Sequence, residues 1–199
     1  MPKWEKRFQT QDYVFGTEPA RFLKTHEALL TEGQTALSVA DGEGRNSVFL
    51  AEKGLTVTAL EQAPSALAKA RKLAAARNVT VDFRQADVMA YDFTDQYDIV
   101  VGIFIQFMGS ESRRRLFQGM KTAVKPGGLI LLHGYTPKQL DYKTGGPPHV
   151  DNMYTEVILR GLFAGWEVLT CQDYIREITE GSGHSGRSAL IDFIARKPA

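Results

Sequence analysis

Over its first two thirds, the chain alternates short apolar, β-branched runs with longer amphipathic ones. Residues 35–40 read as a strand, and 45–53 as a helix stopped by Gly54. The next strand covers 55–60. Residues 64–77 form an Ala-rich helix, with Pro64 suited to its first turn and Asn78 to its end. Residues 79–85 alternate with the period of two of a strand. A buried apolar strand follows at 97–103, then a helix at 111–124 closed by Pro126-Gly127-Gly128, then another buried strand at 129–135. Strands that alternate with helices need crossover connections, which make a parallel sheet. The last third differs. Residues 151–163 look helical, while 166–179 and 187–197 look like strands joined by the Gly-rich turn at 180–186. Strands joined by so short a turn run antiparallel. The expected fold is α/β: a seven-stranded, mostly parallel sheet with an antiparallel C-terminal hairpin.

Composition narrows the function. The 199 residues suit one domain, expected to span 1–199. Lys and Arg number 24 against 23 Asp and Glu, so the net charge of +1 gives no pull toward nucleic acid or anionic membrane. The run Arg113-Arg114-Arg115 reads as a solvated helix face. The single cysteine, Cys171, permits no intrachain disulfide and no cluster site. The polar start lacks an apolar signal core, and no apolar run is long enough to span a bilayer, so a cytoplasmic location is expected. Residues 1–30 carry Trp4, Phe8, Tyr13, Phe15 and Phe22, too many aromatics for a floppy tail. This extension is expected to pack over the active site.

The candidate chemistry begins after the first strand, at Asp41-Gly42-Glu43-Gly44-Arg45-Asn46. Gly42 and Gly44 let the backbone turn tightly and approach a ligand, and the helix that follows offers free backbone N–H groups. The second strand ends at Glu61, whose carboxylate can accept from both hydroxyls of a ribose. The third leads to Asp87, placed to read the edge of a nucleobase. All three points lie at carboxyl ends of parallel strands, where open α/β sheets bind ligands. A nicotinamide-binding fold is the rival reading, but its fingerprint wants a third glycine where Ser47 stands.

The segment Val39-Ala40-Asp41-Gly42-Glu43-Gly44-Arg45-Asn46 resembles motif I of the class I S-adenosylmethionine-dependent methyltransferases. Ser38 stands where that motif commonly has an acidic residue, and Asp41 where it has cysteine. Tyr97-Asp98-Ile99-Val100-Val101 resembles the opening of the family's fourth strand, and Leu116 to Leu132 the approach to its fifth. A narrower similarity, to small bacterial methyltransferases of the tellurite-resistance type, rests on Trp4 with Arg7, on Tyr13 to Gly16 with Pro19, on Pro137 to Tyr142 with Gly145-Gly146-Pro147, and on Glu180-Gly181 with His184-Ser185-Gly186. The resemblance implies a Rossmann-like fold, S-adenosylmethionine as methyl donor and a small-molecule acceptor. It places the donor on Asp41, Gly42, Glu43, Gly44, Arg45, Asn46, Glu61, Gln62, Asp87, Val88, Ile103 and Phe104.

Two residues are candidates for the acceptor side. His184, in the terminal turn, is suited to act as a base near neutral pH or to hold an anion; as an exposed turn residue it would do neither. Arg7 is suited to pair with an anionic acceptor, against simple solvation at the surface. Trp4, Tyr13 and Phe15 would line the pocket or only pack the extension. The apolar stretch Phe104-Ile105-Gln106-Phe107 lacks the Asn/Asp-Pro-Pro-Tyr type motif of nucleic-acid amine methylation and favours a soft acceptor such as a thiol or another chalcogen. His133, His149, Asp141 and Asp151 lack metal-ligand spacing, so no metal is expected. Residues 136–150, rich in Pro and Gly, are expected to form a structureless loop that shares the cover. A non-catalytic donor sensor or a scaffold protein remains the alternative to an enzyme.

Overall fold

The computed structural model describes residues 3–199. Seven strands make one sheet in the order β3-β2-β1-β4-β5-β7-β6. They are β1 (Thr35–Val39), β2 (Thr56–Glu61), β3 (Asp82–Gln85), β4 (Tyr97–Ile103), β5 (Val124–Tyr135), β6 (Glu167–Glu180) and β7 (His184–Arg196). β1 with β2, β2 with β3, and β4 with β5 pair in parallel, and β5 pairs antiparallel with β7. The expected α/β architecture with an antiparallel C-terminal end is therefore present. Among the described residues no helix is long and apolar enough to cross a membrane.

The chain forms two compact units. The first comprises residues 1–91 with 180–183. It holds α1 (Lys3–Phe8), α2 (Arg21–Thr25), α3 (Arg45–Glu52) and α4 (Pro64–Ala76) with β1, β2 and β3. Pro64 starts α4, where its missing N–H costs nothing, and Ala66, Leu67, Ala70, Leu73 and Ala74 bury one face at helical spacing. The second unit comprises 92–179 with 184–199 and holds α5 (Ser110–Ala123), α6 (Glu156–Leu162) and the other four strands.

Several boundaries differ from the pattern-based expectation. β5 begins at Val124 rather than 129. Pro126-Gly127-Gly128 ends α5 as expected, but the chain is already extended there: Gly127 N–H donates to Lys197 O, and Lys197 N–H to Gly128 O. The expected helix at 151–163 divides into a 3-10 turn, Val150–Asn152, and α6, which Thr155 caps by accepting from Ile158 N–H at 3.2 Å. The loop expected at 136–150 is partly built. It opens with a 3-10 turn, Pro137–Asp141, and buried Gln139 pins it by accepting from Ala189 N–H and donating to Thr144 Oγ1 and Gly145 O. Arg113 is also a correction. Unlike exposed Arg114 and Arg115 it is buried, donating to the carbonyls of Asp151 and Met153. A guanidinium can reach two carbonyls at once, and that use of its fork outweighs its place in a run of like charges.

Candidate functional site

In the first unit the motif residues form the turn from β1 into α3. Gly42 (φ 66°) and Gly44 (φ 90°) both take left-handed backbone, and Gly44 caps α3. Asp41 lies inside the turn. Its carboxylate accepts from Ser38 Oγ at 2.6 Å and from Ser47 Oγ at 2.5 Å, with Ser47 N–H at 3.3 Å. Burial raises the Asp41 pKa, while the two hydroxyls and the amide pull it down. Ser38, Asp41 and Ser47, the three places where this motif departs from its relatives or from the nicotinamide fingerprint, thus form one interlocked set. The Asp41 side chain braces the turn rather than facing a ligand.

Glu61 ends β2 and is buried, accepting from Gly42 N–H at 2.9 Å and Ala63 N–H at 2.8 Å. Burial holds its carboxyl above the ordinary range; the amide hydrogen bonds oppose this, and the neighbouring Asp41 charge adds to it. A carboxylate has about four acceptor positions, so two amide donors leave room for a diol. The structure therefore fits a ribose at Glu61, and the same residue fixes the glycine turn. Beyond β3, Asp87 is exposed and accepts from Met89 N–H at 2.9 Å, which closes a tight turn; Val88 is buried, and Gln62 is exposed beside Glu61.

The other three motif side chains hold the N-terminal strap. Glu43, buried, accepts from Val14 N–H at 2.8 Å, Phe15 N–H at 3.3 Å and Lys69 Nζ at 2.7 Å. Lys69 Nζ also donates to Asp12 O and Thr10 Oγ1. Arg45 pairs with Glu180 at 2.8 Å, their side chains 6% and 11% exposed, and Asn46 Oδ1 accepts from Ala20 N–H at 3.0 Å. With these side chains committed, a ligand meets positions 43, 45 and 46 through their backbone. The extension is ordered as its aromatics implied. Phe8 packs with Val14, Ala63 and Ala66, and its ring lies where a side chain on Gly42 would reach, at 3.6 Å. The Arg7 guanidinium sits over the rings of Trp4 (5.3 Å) and Phe15 (5.1 Å) with its charged end exposed. Tyr13 donates its hydroxyl to Lys69 O at 3.0 Å.

In the second unit, β4 ends at Ile103, and Phe104 follows in left-handed backbone (φ 55°). A non-glycine residue there is strained, a state usually retained where function needs it. Its ring is the hub of an aromatic cluster, with centroids 4.2 Å from His184, 4.8 Å from His133 and 4.8 Å from Tyr135. His184 is the first residue of β7 and not part of the turn, which is only 181–183. It is buried, at 8% exposure, so the reading of an exposed turn histidine does not hold. His133 was read only as lacking metal spacing. It lies opposite Asp192 across the β5–β7 ladder, and its Nδ1 is 2.7 Å from Asp192 Oδ1. No local pattern in the sequence announces that pair, because its members are 59 residues apart.

Residues 36–128 match the family model described as a methyltransferase domain. Over 185 residues the chain is 26% identical to Hemagglutinin 1 of Eikenella corrodens, covering 87% of this chain and 60% of that protein. It is 22% identical over 164 residues to a protein of Haemophilus influenzae named as the probable S-adenosyl-L-methionine-dependent methyltransferase TehB, covering 81% of this chain and 56% of that one. The crystal structure of TehB from that organism superposes with a TM-score of 0.72 at 20% identity, over 98% of this chain and 65% of that one. A structure concerned with converting a disulfide bond into a thioacetal group during echinomycin biosynthesis superposes with a TM-score of 0.77 at 18% identity, over 96% and 85%. The fold is that of the class I methyltransferases, and the resemblance to the TehB type holds along most of the chain. The chain spans only 50–60% of the length of the first curated relatives it matches.

Proposed function

We propose that this protein transfers a methyl group from S-adenosylmethionine to a small-molecule acceptor, a thiol or another chalcogen. The observation that carries the reading is the buried Glu61 carboxylate, tied to Gly42 N–H at the end of β2 and still able to accept from a ribose. The donor supplies a methyl group already activated on a sulfonium. The protein's part is to orient, to exclude water and to handle the acceptor's proton. Gly42 and Gly44 admit the methionine part to the backbone, and Glu61 takes the ribose, with Gln62 beside it. Asp87 and Val88 meet the base. Ile103 and Phe104 stand at the carboxyl end of β4, where the acceptor is received. Arg7 holds an anionic group, and His184, packed on Phe104, serves the acceptor. The sulfur chemistry of the echinomycin-related structure supports a sulfur acceptor.

Glu61→Ala should weaken S-adenosylmethionine binding in titration calorimetry by about 1–3 kcal/mol, the worth of hydrogen bonds to a charged group. Ribose hydroxyls favour the ionised carboxylate, and burial has raised its pKa. Affinity should therefore be full at neutral pH and decline on acidification, starting at higher pH than an ordinary glutamate would give. Wild-type affinity in Glu61→Ala, or preferential binding of NADH, would remove the donor assignment. Release of S-adenosylhomocysteine across a panel of thiols, selenols and oxyanions then tests the acceptor.

The strap and the exposed part of 142–150 serve in this reading as the cover of a site belonging to one functional domain, 1–199. Amide exchange should slow in residues 10–20 and 142–150 when S-adenosylhomocysteine is added. Unaltered exchange in both segments would deny them that role.

A further inference from the structure

We infer that His133, held by Asp192, is the base that takes the proton from the acceptor. The inference rests on the thiol reading above. Three strands contribute one hydrogen-bonded line. Tyr174 on β6 donates its hydroxyl to Asp192 Oδ1 at 3.1 Å, and the same oxygen on β7 lies 2.7 Å from His133 Nδ1 on β5. The His133 and Asp192 side chains are 3% and 12% exposed.

A buried carboxylate beside a ring nitrogen fixes the tautomer. Nδ1 carries the hydrogen and donates it, so Nε2 keeps its lone pair and can accept a proton. The carboxylate then stabilises the imidazolium that forms, the division of labour seen wherever a histidine base is backed by an aspartate. As scaffolding the pair has little to recommend it, since replacing a buried ion pair by apolar side chains is often neutral or stabilising.

Its place favours chemistry. His133 is the register partner of Ile103, the last residue of β4, and its carbonyl accepts from Phe104 N–H at 2.8 Å. That is the carboxyl edge of two parallel strands, where such sheets bind ligands. The strained Phe104 backbone puts one ring against both His133 and His184. The titratable groups around His133 are thus Asp192 from β7, Tyr174 from β6 through Asp192, and His184 and Tyr135 through the Phe104 ring. Arg176 lies over the Tyr174 ring at 5.5 Å.

The step balances simply. The acceptor sulfur forms its bond to the methyl carbon, and the old carbon–sulfur bond breaks with its electron pair left on the donor sulfur, now a neutral thioether. The S–H proton passes to His133 Nε2. One positive charge leaves the donor and one appears on the imidazolium facing Asp192.

The test uses 15N NMR of the S-adenosylhomocysteine complex together with turnover on 2-mercaptoethanol and hydrosulfide. His133 should show the Nδ1–H tautomer at about pH 8, and Asp192→Asn, whose amide donates to Nδ1, should switch it to Nε2–H. Turnover of Asp192→Asn near pH 6.5 should fall about tenfold to a hundredfold. The loss should shrink as pH approaches the thiol's own pKa of about 8.5, because thiolate then needs no base. S-adenosylhomocysteine affinity should not change. A purely structural pair would lower the melting temperature without giving this pH profile. His133→Gln, which keeps a polar group but no base, should reproduce the profile if Asp192→Asn folds poorly. An Nε2–H tautomer in the wild type, or a pH-independent loss in both variants, overturns the inference. Wild-type protein that methylates neither thiol instead overturns the acceptor class on which it rests.

Discussion

Arg45→Ala is expected to lower stability by about 3–5 kcal/mol, the cost of removing one member of a buried ion pair. Glu180 would be left in its buried place without the guanidinium now 2.8 Å away, and the Glu18 carbonyl would lose a donor. The Glu180 carboxylate also accepts from Arg21 N–H, so the start of α2 should loosen too. Urea unfolding measures the effect. The control is Arg45→Met with Glu180→Leu. It removes both charges, and most of the lost stability should return. If Arg45→Ala unfolded within about 0.5 kcal/mol of wild type, as surface substitutions usually do, the pair would have to be regarded as solvated.

Gly44→Ala should damage the donor loop nearly as much. Gly44 sits at φ 90°, a conformation that costs an L side chain about 1–2 kcal/mol. A Cβ there would lie 2.7 Å from Ala70 Cβ and 2.8 Å from Ala70 Cα, and neither atom can swing aside. Overpacking of that kind costs about 1–3 kcal/mol more. Because α3 starts at Gly44, the amides meant for the donor would shift with it, so S-adenosylmethionine affinity should fall together with the melting temperature. Adding Ala70→Gly relieves the contact and not the backbone strain. The double variant should therefore recover in part, at about 0.5–1 kcal/mol for a glycine inside α4. No recovery at all would show that the closeness of α4 is not what demands glycine here.

What the sequence made legible was whatever is encoded locally. Strand and helix periods, Pro64 at a helix start and two glycines between a strand and a helix all act over a few residues, and each was found within a few residues of its place. Glu61 was legible for the same reason: it ends its own strand. The motif side chains were not. Glu43, Arg45 and Asn46 stand among the donor residues in the sequence, yet their partners are Val14, Glu180 and Ala20, which no spacing rule links to them. His184 was placed in a turn because glycines surround it, whereas ladder pairing carries β7 out to include it. Arg113 was grouped with its neighbours by charge, although only the helix period separates its buried face from theirs. His133 and Asp192 each look like a polar residue in an apolar strand, and only the β5–β7 register joins them.

The first unit takes its last four residues from near the end of the chain, and this bears on how the protein is made. Glu180 supplies the partner of Arg45, and Gly183 N–H donates to Val14 O at 2.9 Å. On the ribosome, where N-terminal regions ordinarily fold first, β1, β2, α3 and α4 can emerge and pair early. Until residue 183 leaves the exit tunnel, however, the Arg45 guanidinium has no carboxylate and the Val14 carbonyl lacks its closing amide. The part of the molecule synthesised first is thus among the last to be completed, and the nascent chain carries an unfinished donor loop through nearly all of translation.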